Sequence, residues 1–185
     1  MAKLDIIVAG NPVLRLKAKE VERIDKKTVR LLNDMAETMY AADGVGLAAP
    51  QVGVSRRIVV IDVGEGLIEL INPVITKREG SVVGGEGCLS VPNFEGEVER
   101  AEYIECEFFD RKGKRMKLAS DGILAIAVQH ELDHLDGILF IDKAITHILK
   151  RPEELIVSLL QVGSVKRICF RQLHQINNGN VAGFG

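Results

Sequence analysis

Two histidines four residues apart, His130 and His134 in the run Gln129-His130-Glu131-Leu132-Asp133-His134, restrict this chain more than any other stretch. On a helix they stand about 40° out of register and one turn apart, so both imidazoles reach a single metal ion from one face. The flanks supply the helix: Asp121 as N-cap, apolar Ile123, Leu124, Ile126, Ala127, Val128 and Leu132, and Gly137 just past the end. A helix this apolar belongs in the interior, and buried histidines need partners. The rest of the chain is therefore expected to be organised around this segment.

Glu131 projects beside the histidine face. A divalent metal lowers the pKa of a water from ~15.7 to roughly 7, and a neighbouring carboxylate can take its proton and later deliver it to a leaving group. The pattern points to metal-assisted hydrolysis of an amide or ester.

Elsewhere the periodicity gives short elements. Val29, Leu32, Ala36 and Met39 follow helical spacing between Asp25, a cap, and Gly44, a stop. The run from Gly44 to Gly53 cannot be regular helix or strand throughout. Arg57–Asp62 and Leu67–Ile71 read as strands, with another over Val74–Lys77. Residues 4–9 fit a short strand or an extended lead-in, and 80–87 is glycine-rich without a regular pattern. Ala101–Asp110 alternates, and Arg111–Lys114 turns it into a partner at Arg115–Leu118. A short strand is expected at Ile138–Ile141, and a last helix with Pro152 at its first position. Strands with two or three helices and no βαβ alternation predict an α+β fold, small antiparallel and mixed sheets packed around the metal-binding helix. A single catalytic domain over 1–162 and a loosely held tail over 163–185 complete the expectation.

Composition narrows the class. At 185 residues and net charge −2, the chain has one domain's length and no charge signature for nucleic acid or membrane. The basic cluster Arg111-Lys112-Gly113-Lys114-Arg115 reads as a charged hairpin turn. Three cysteines, no secretory signal and no apolar run long enough to span a bilayer point to a cytoplasmic enzyme.

Two imidazoles require a further ligand. The metzincin pattern, with a third histidine six residues after the second, is excluded because Phe140 stands there. Glu153 and Glu154 are possible ligands, but a helix start carries such residues anyway. His147 and His174 lie in stretches without other site features, and Cys106 and Cys169 sit among apolar neighbours as small hydrophobes do. Cys88 differs, because Gly84, Gly85 and Gly87 clear side chains from its approach. Two imidazoles and one thiolate leave a fourth tetrahedral position open, a catalytic arrangement.

Three stretches then read together. Gly44-Val45-Gly46-Leu47-Ala48-Ala49-Pro50-Gln51, Glu86-Gly87-Cys88-Leu89-Ser90 and Gln129-His130-Glu131-Leu132-Asp133-His134 resemble, in order, the three motifs of the peptide deformylase family. Asn11-Pro12-Val13-Leu14-Arg15 is similar to the family's opening, so the resemblance covers about residues 4–160. It implies removal of the formyl group from the N-terminal formylmethionine of new polypeptides, with release of formate. Cys88, His130 and His134 would bind one divalent metal, ferrous iron in the cell, replaceable by zinc, nickel or cobalt. Glu131 would serve as general base and then acid. Gln51 and the Leu89 N–H would stabilise the oxyanion, and Gly46 would meet the substrate backbone. The methionine side chain needs an apolar pocket, for which Val45, Ile123, Ile126 and Ala127 are candidates. Two departures stand out. Glu95 occupies a position where some members place a peptide-contacting arginine, and the tail matches no typical C-terminus. Lys166, Arg167 and Arg171 are weak counterparts of the basic segment through which some members contact the ribosome.

Overall fold

The computed structural model describes residues 2–149, with side chains through residue 146. Its elements are α1 (Lys26–Ala41), β1 (Gly46–Ala48), β2 (Ile58–Ile61), β3 (Ile68–Glu79), β4 (Val82–Cys88), β5 (Val91–Arg100), β6 (Tyr103–Phe109), β7 (Arg115–Asp121), α2 (Gly122–Leu135) and β8 (Thr146–Leu149). One sheet has the order β1-β2-β3-β6-β7 and a second the order β4-β5-β8. All the ladders between these strands are antiparallel. The α+β architecture agrees with the sequence reading, and no helix among the described residues is long and apolar enough to cross a membrane.

Strand β2 explains how the layers are arranged. All four of its residues, Ile58-Val59-Val60-Ile61, are buried. Val59 and Ile61 cluster with Ala125, Val128, Leu132 and Leu135 of α2, whereas Ile58 and Val60 cluster with Leu32, Met35 and Met39 of α1. A strand buried on both faces needs an unbroken apolar run, and the two helices cover the larger sheet from opposite sides. Leu14, Cys88, Val91, Val98, Leu139 and Phe140 form a third cluster on the smaller sheet.

The expected helix boundaries hold. The Asp25 carboxylate accepts from the Thr28 N–H at 2.8 Å, and α2 starts after Asp121, although that side chain makes no capping bond. Gly137 has φ +75°, and a Cβ there would lie 2.6 Å from the Arg15 carbonyl oxygen. Glycine alone suits both the left-handed turn and the close crossing.

Three expectations are corrected. The strands at 67–71 and 74–77 are one strand, because the β3–β6 register shifts between Ile71 and Val74 and the irregularity absorbs Pro73, which has no N–H to offer. The glycine-rich 80–87 is mostly strand β4, paired along its length with β5, itself not anticipated from sequence. Of the two readings left open for residues 4–9, the structure has the lead-in and no strand, with Ile7 donating to the Gln51 carbonyl and Ala9 to the Ser90 carbonyl. Near 138–141 a 3-10 turn, Phe140–Asp142, replaces the expected strand, with the Asp142 carboxylate accepting from the Leu139 N–H at 2.9 Å. The helix expected from Pro152 and the tail 163–185 lie outside the described residues.

Candidate metal centre and catalytic residues

Two elements distant in sequence meet at the site. Strand β4 ends at Cys88, where the ladder shifts register and Leu89-Ser90 turn the chain into β5. Helix α2 brings His130, Glu131 and His134. Cys88, His130 and His134 are all buried, and their ligand atoms lie within 4.8 Å of one another. Cys88 Sγ is 3.1 Å from His134 Nε2. Around a tetrahedral metal, with bonds of about 2.3 Å to sulfur and about 2.0–2.1 Å to nitrogen, ligand atoms stand roughly 3.5 Å apart, so this trio needs only small adjustment to hold an ion. Of the alternative ligands, Cys106 is buried in the α2-facing core cluster, His147 is described only as backbone of β8, and Glu153, Glu154, Cys169 and His174 lie outside the described residues.

His130 Nδ1 lies 2.8 Å from Glu86 Oε2, which leaves Nε2 to face the other two ligands. Burial works against charge on His130, but the Cys88 sulfur and the Glu86 carboxylate outweigh it and raise its pKa. Burial, aided by the neighbouring His130, pushes His134 the other way. For Glu86, burial alone would raise the carboxyl; bonds from Arg100 and His130 more than offset that and hold it at about 2. The Arg100 guanidinium grips Glu86 through Nε at 2.6 Å and Nη2 at 2.8 Å, and reaches Asp133 through Nη1 at 2.5 Å. Sequence reasoning assigned no role to these residues. Glu86 and Asp133 stand inside quoted motifs, a signal that was available; Arg100 sits in a stretch with no pattern to find it by.

Glu131 is buried beside the trio. Burial pushes its carboxyl up to about 7, with Glu86 adding to the rise and His130 and Arg100 opposing it. Its Oε2 has no hydrogen-bond partner among the described residues. A buried carboxylate oxygen left unpaired is costly, and such atoms mark places where a ligand or reacting group belongs. Gly46 makes the space: a Cβ there would lie 2.4 Å from Glu131 Oε1.

Gln51, in a 3-10 turn after β1, is locked at both ends of its amide. Its oxygen accepts from the Ala48 N–H at 2.7 Å, which turns the NH2 group toward Ser90 Oγ at 3.2 Å and Cys88 Sγ at 3.5 Å. Gly44, Val45, Gly46, Gln51, Gly87, Cys88, Leu89, His130 and Glu131 line one cleft, of about 20 Å³. That is room for a single water-sized group. Ile123, Ile126 and Ala127 do not line this cleft. Ile126 Cδ1 stands 3.9 Å from where a Gly84 Cβ would be, so it flanks β4, while Ala127 is buried in the α2-facing core cluster. Glu95 is also buried, opposite Gly87 in the β4–β5 ladder.

Two imidazoles and a sulfur converging on one point, with an ionisable carboxyl and a fixed amide donor beside them, define the site of a metal-dependent hydrolase. The comparisons make the assignment specific. The family model for polypeptide deformylase matches residues 3–150. The chain is 56% identical over 144 residues to a peptide deformylase of Pelotomaculum thermopropionicum, an alignment covering 78% of this chain and 93% of that one. Among solved structures it superimposes on the peptide deformylase of Thermotoga maritima with a TM-score of 0.77 at 42% identity, covering 79% of this chain and 100% of the other. It superimposes equally on that of Synechococcus elongatus, solved in complex with actinonin, with a TM-score of 0.76 at 39% identity, covering 91% and 92%. The chain belongs to the peptide deformylase family.

Proposed function

We propose that this chain removes the N-formyl group from formylmethionine at the start of new polypeptides, with Cys88, His130 and His134 holding one divalent ion, ferrous in the cell and replaceable by zinc, nickel or cobalt. Such an ion supplies Lewis acidity, making a water acidic near neutral pH and polarising a carbonyl. The remaining work falls to the chain's own groups. Glu131 takes the proton from the attacking water as its oxygen bonds to the formyl carbon, then hands that proton to the amine nitrogen as the C–N bond breaks. Formate and a free α-amine result.

The Gln51 amide and the Leu89 N–H serve as donors to the oxyanion, where one such donor is typically worth about 2.7–4 kcal/mol. Strands β1 and β4 are edge strands of their sheets among the described residues, and Gly46 and Gly87 both line the cleft. An extended peptide can therefore lie against the Gly46 main chain. For the methionine side chain, Val45, which lines the cleft, is the better placed candidate, with Ile123 and Ile126 of α2 as further ones. The cytoplasm suits a free thiol ligand, and any ribosome contact through Lys166, Arg167 and Arg171 falls on the undescribed tail.

The observation that carries this reading is the buried Glu131 carboxyl, whose Oε2 has no hydrogen-bond partner among the described residues, next to three convergent ligand atoms. In Glu131→Gln, formate release from a formyl-Met peptide is expected to fall by about 10²–10⁴-fold while one ion per chain is retained. Undiminished turnover in that variant would remove Glu131 from the reaction, and metal retention in Cys88→Ala would remove Cys88 from the ligand set.

A further inference from the structure

Arg100 is the one lysine or arginine buried among the described residues, and no step of the reaction uses it. It does not line the cleft. Its guanidinium instead spends its donors on two carboxylates. Nε and Nη2 hold both oxygens of Glu86, and Nη1 holds Asp133. Glu86 Oε2 is also the atom that contacts His130 Nδ1, and Asp133 stands three residues after His130 on α2. Lys143, from the turn beyond α2, closes the chain with Nζ at 2.6 and 2.7 Å from the two Asp133 oxygens. Side chains from β4, β5, α2 and the segment after α2 thus form one connected array, from a partly exposed lysine to the ring of a metal ligand.

We infer that Arg100 is the positioning residue of the metal centre, acting on His130 through Glu86, with Asp133 and Lys143 setting where Arg100 sits. The planar fork is what suits it to this role. A guanidinium fixes the angle between two carboxylates, whereas an ammonium supplies a charge without that geometry. The array orients His130 before any ion arrives, so its purpose is read in the affinity of the apoprotein for metal. Partners of this kind typically alter metal affinity by about 10–100-fold. The inference rests on the ligand set proposed above.

The test is Co2+ affinity of the full chain, measured anaerobically by competition with a chelator and accompanied by the ligand-field spectrum of the bound ion. Arg100→Lys keeps the charge and is expected to bind Co2+ about 10–100-fold more weakly, with a shifted spectrum. Lys143→Met acts one link further away and is expected to weaken binding by less than about tenfold. The double variant Glu86→Gln with Arg100→Met removes both charges together and guards against a simple folding defect. If Arg100 merely neutralised Glu86, that double variant would regain both wild-type unfolding and wild-type affinity; positioning predicts that stability returns and affinity does not. Wild-type affinity and spectrum in Arg100→Lys and in the double variant would overturn the inference while leaving the ligand set intact, provided that Cys88→Ala abolishes binding. If Cys88→Ala binds Co2+ as wild type does, the ligand set itself is wrong and the inference falls with it.

Discussion

The two imidazoles of α2 lie one helical turn apart and face the same sulfur, yet they are held by opposite means. His130 has its distal nitrogen on Glu86, which is backed by Arg100, Asp133 and Lys143. The distal nitrogen of His134, Nδ1, is buried without a hydrogen-bond partner among the described residues. It stands edge-on to His130, with ring centres 5.0 Å apart, in a helix end clamped by Gly137 against Arg15. One ligand is oriented by charge and the other by packing. The difference teaches that a metal site can be pre-organised asymmetrically: on one side hydrogen-bonded charges orient the ring, and on the other close packing does.

The sharpest way to break this comparison is to delete one support on each side and unfold the metal-free proteins in urea. Glu86→Ala leaves the buried Arg100 guanidinium with Asp133 alone and His130 Nδ1 without its carboxylate, and is expected to cost about 3–5 kcal/mol. His134→Ala removes an atom that already lacked a partner and should cost under about 2 kcal/mol; equal losses would erase the asymmetry. Between the two ligands, Gly46→Ala drives a methyl group into Glu131. Deformylation should fall about 10²-fold through misplacement of the carboxyl, with metal content unchanged, which separates the catalytic group from both ligands. Gly137→Ala strains the packed end and is expected to cost about 1–3 kcal/mol, weakening metal binding if packing is what holds His134.

A remote pair provides the smallest effect and a control. The Asp62 carboxylate accepts from the Tyr40 hydroxyl at 2.7 Å, and this bond, assisted by burial, pushes the Tyr40 pKa up to about 12. A phenol raised in this way stabilises the fold fully below its ordinary pKa of about 10, and that contribution is lost as pH rises through 12. In Asp62→Asn the tyrosinate absorbance should move back toward about 10, with both sides of the metal centre unaffected.

The two segments that supply metal ligands were not equally legible. Helix α2 announced itself because its signals are local: Asp121 before the apolar residues, Gly137 after them, and histidines at a spacing that a helix brings to one face a single turn apart. Strand β4 hid because Gly84, Gly85 and Gly87 carry no side chains to alternate. Its identity comes from pairing with β5, from Val82 opposite Arg100 to Cys88 opposite Val91, and the glycines of β4 do not advertise that pairing. Asn72-Pro73 misled for a related reason: the dipeptide reads as a stop, whereas a register shift opposite β6 lets the strand continue.

By itself, then, the sequence determined what is set by short-range chemistry: a helix bearing His130, Glu131 and His134, a glycine-cleared Cys88, and three ordered motifs that mark the family. Tertiary structure alone decided what depends on non-local contact: that β4 is a strand whose end delivers Cys88 to that helix, that Gly46 makes room for the Glu131 carboxyl, and that Arg100 stands behind His130. The physical reason is that helical spacing is encoded within one turn of backbone, whereas the pKa of a carboxyl and the aim of an imidazole depend on charges and burial contributed by residues far along the chain.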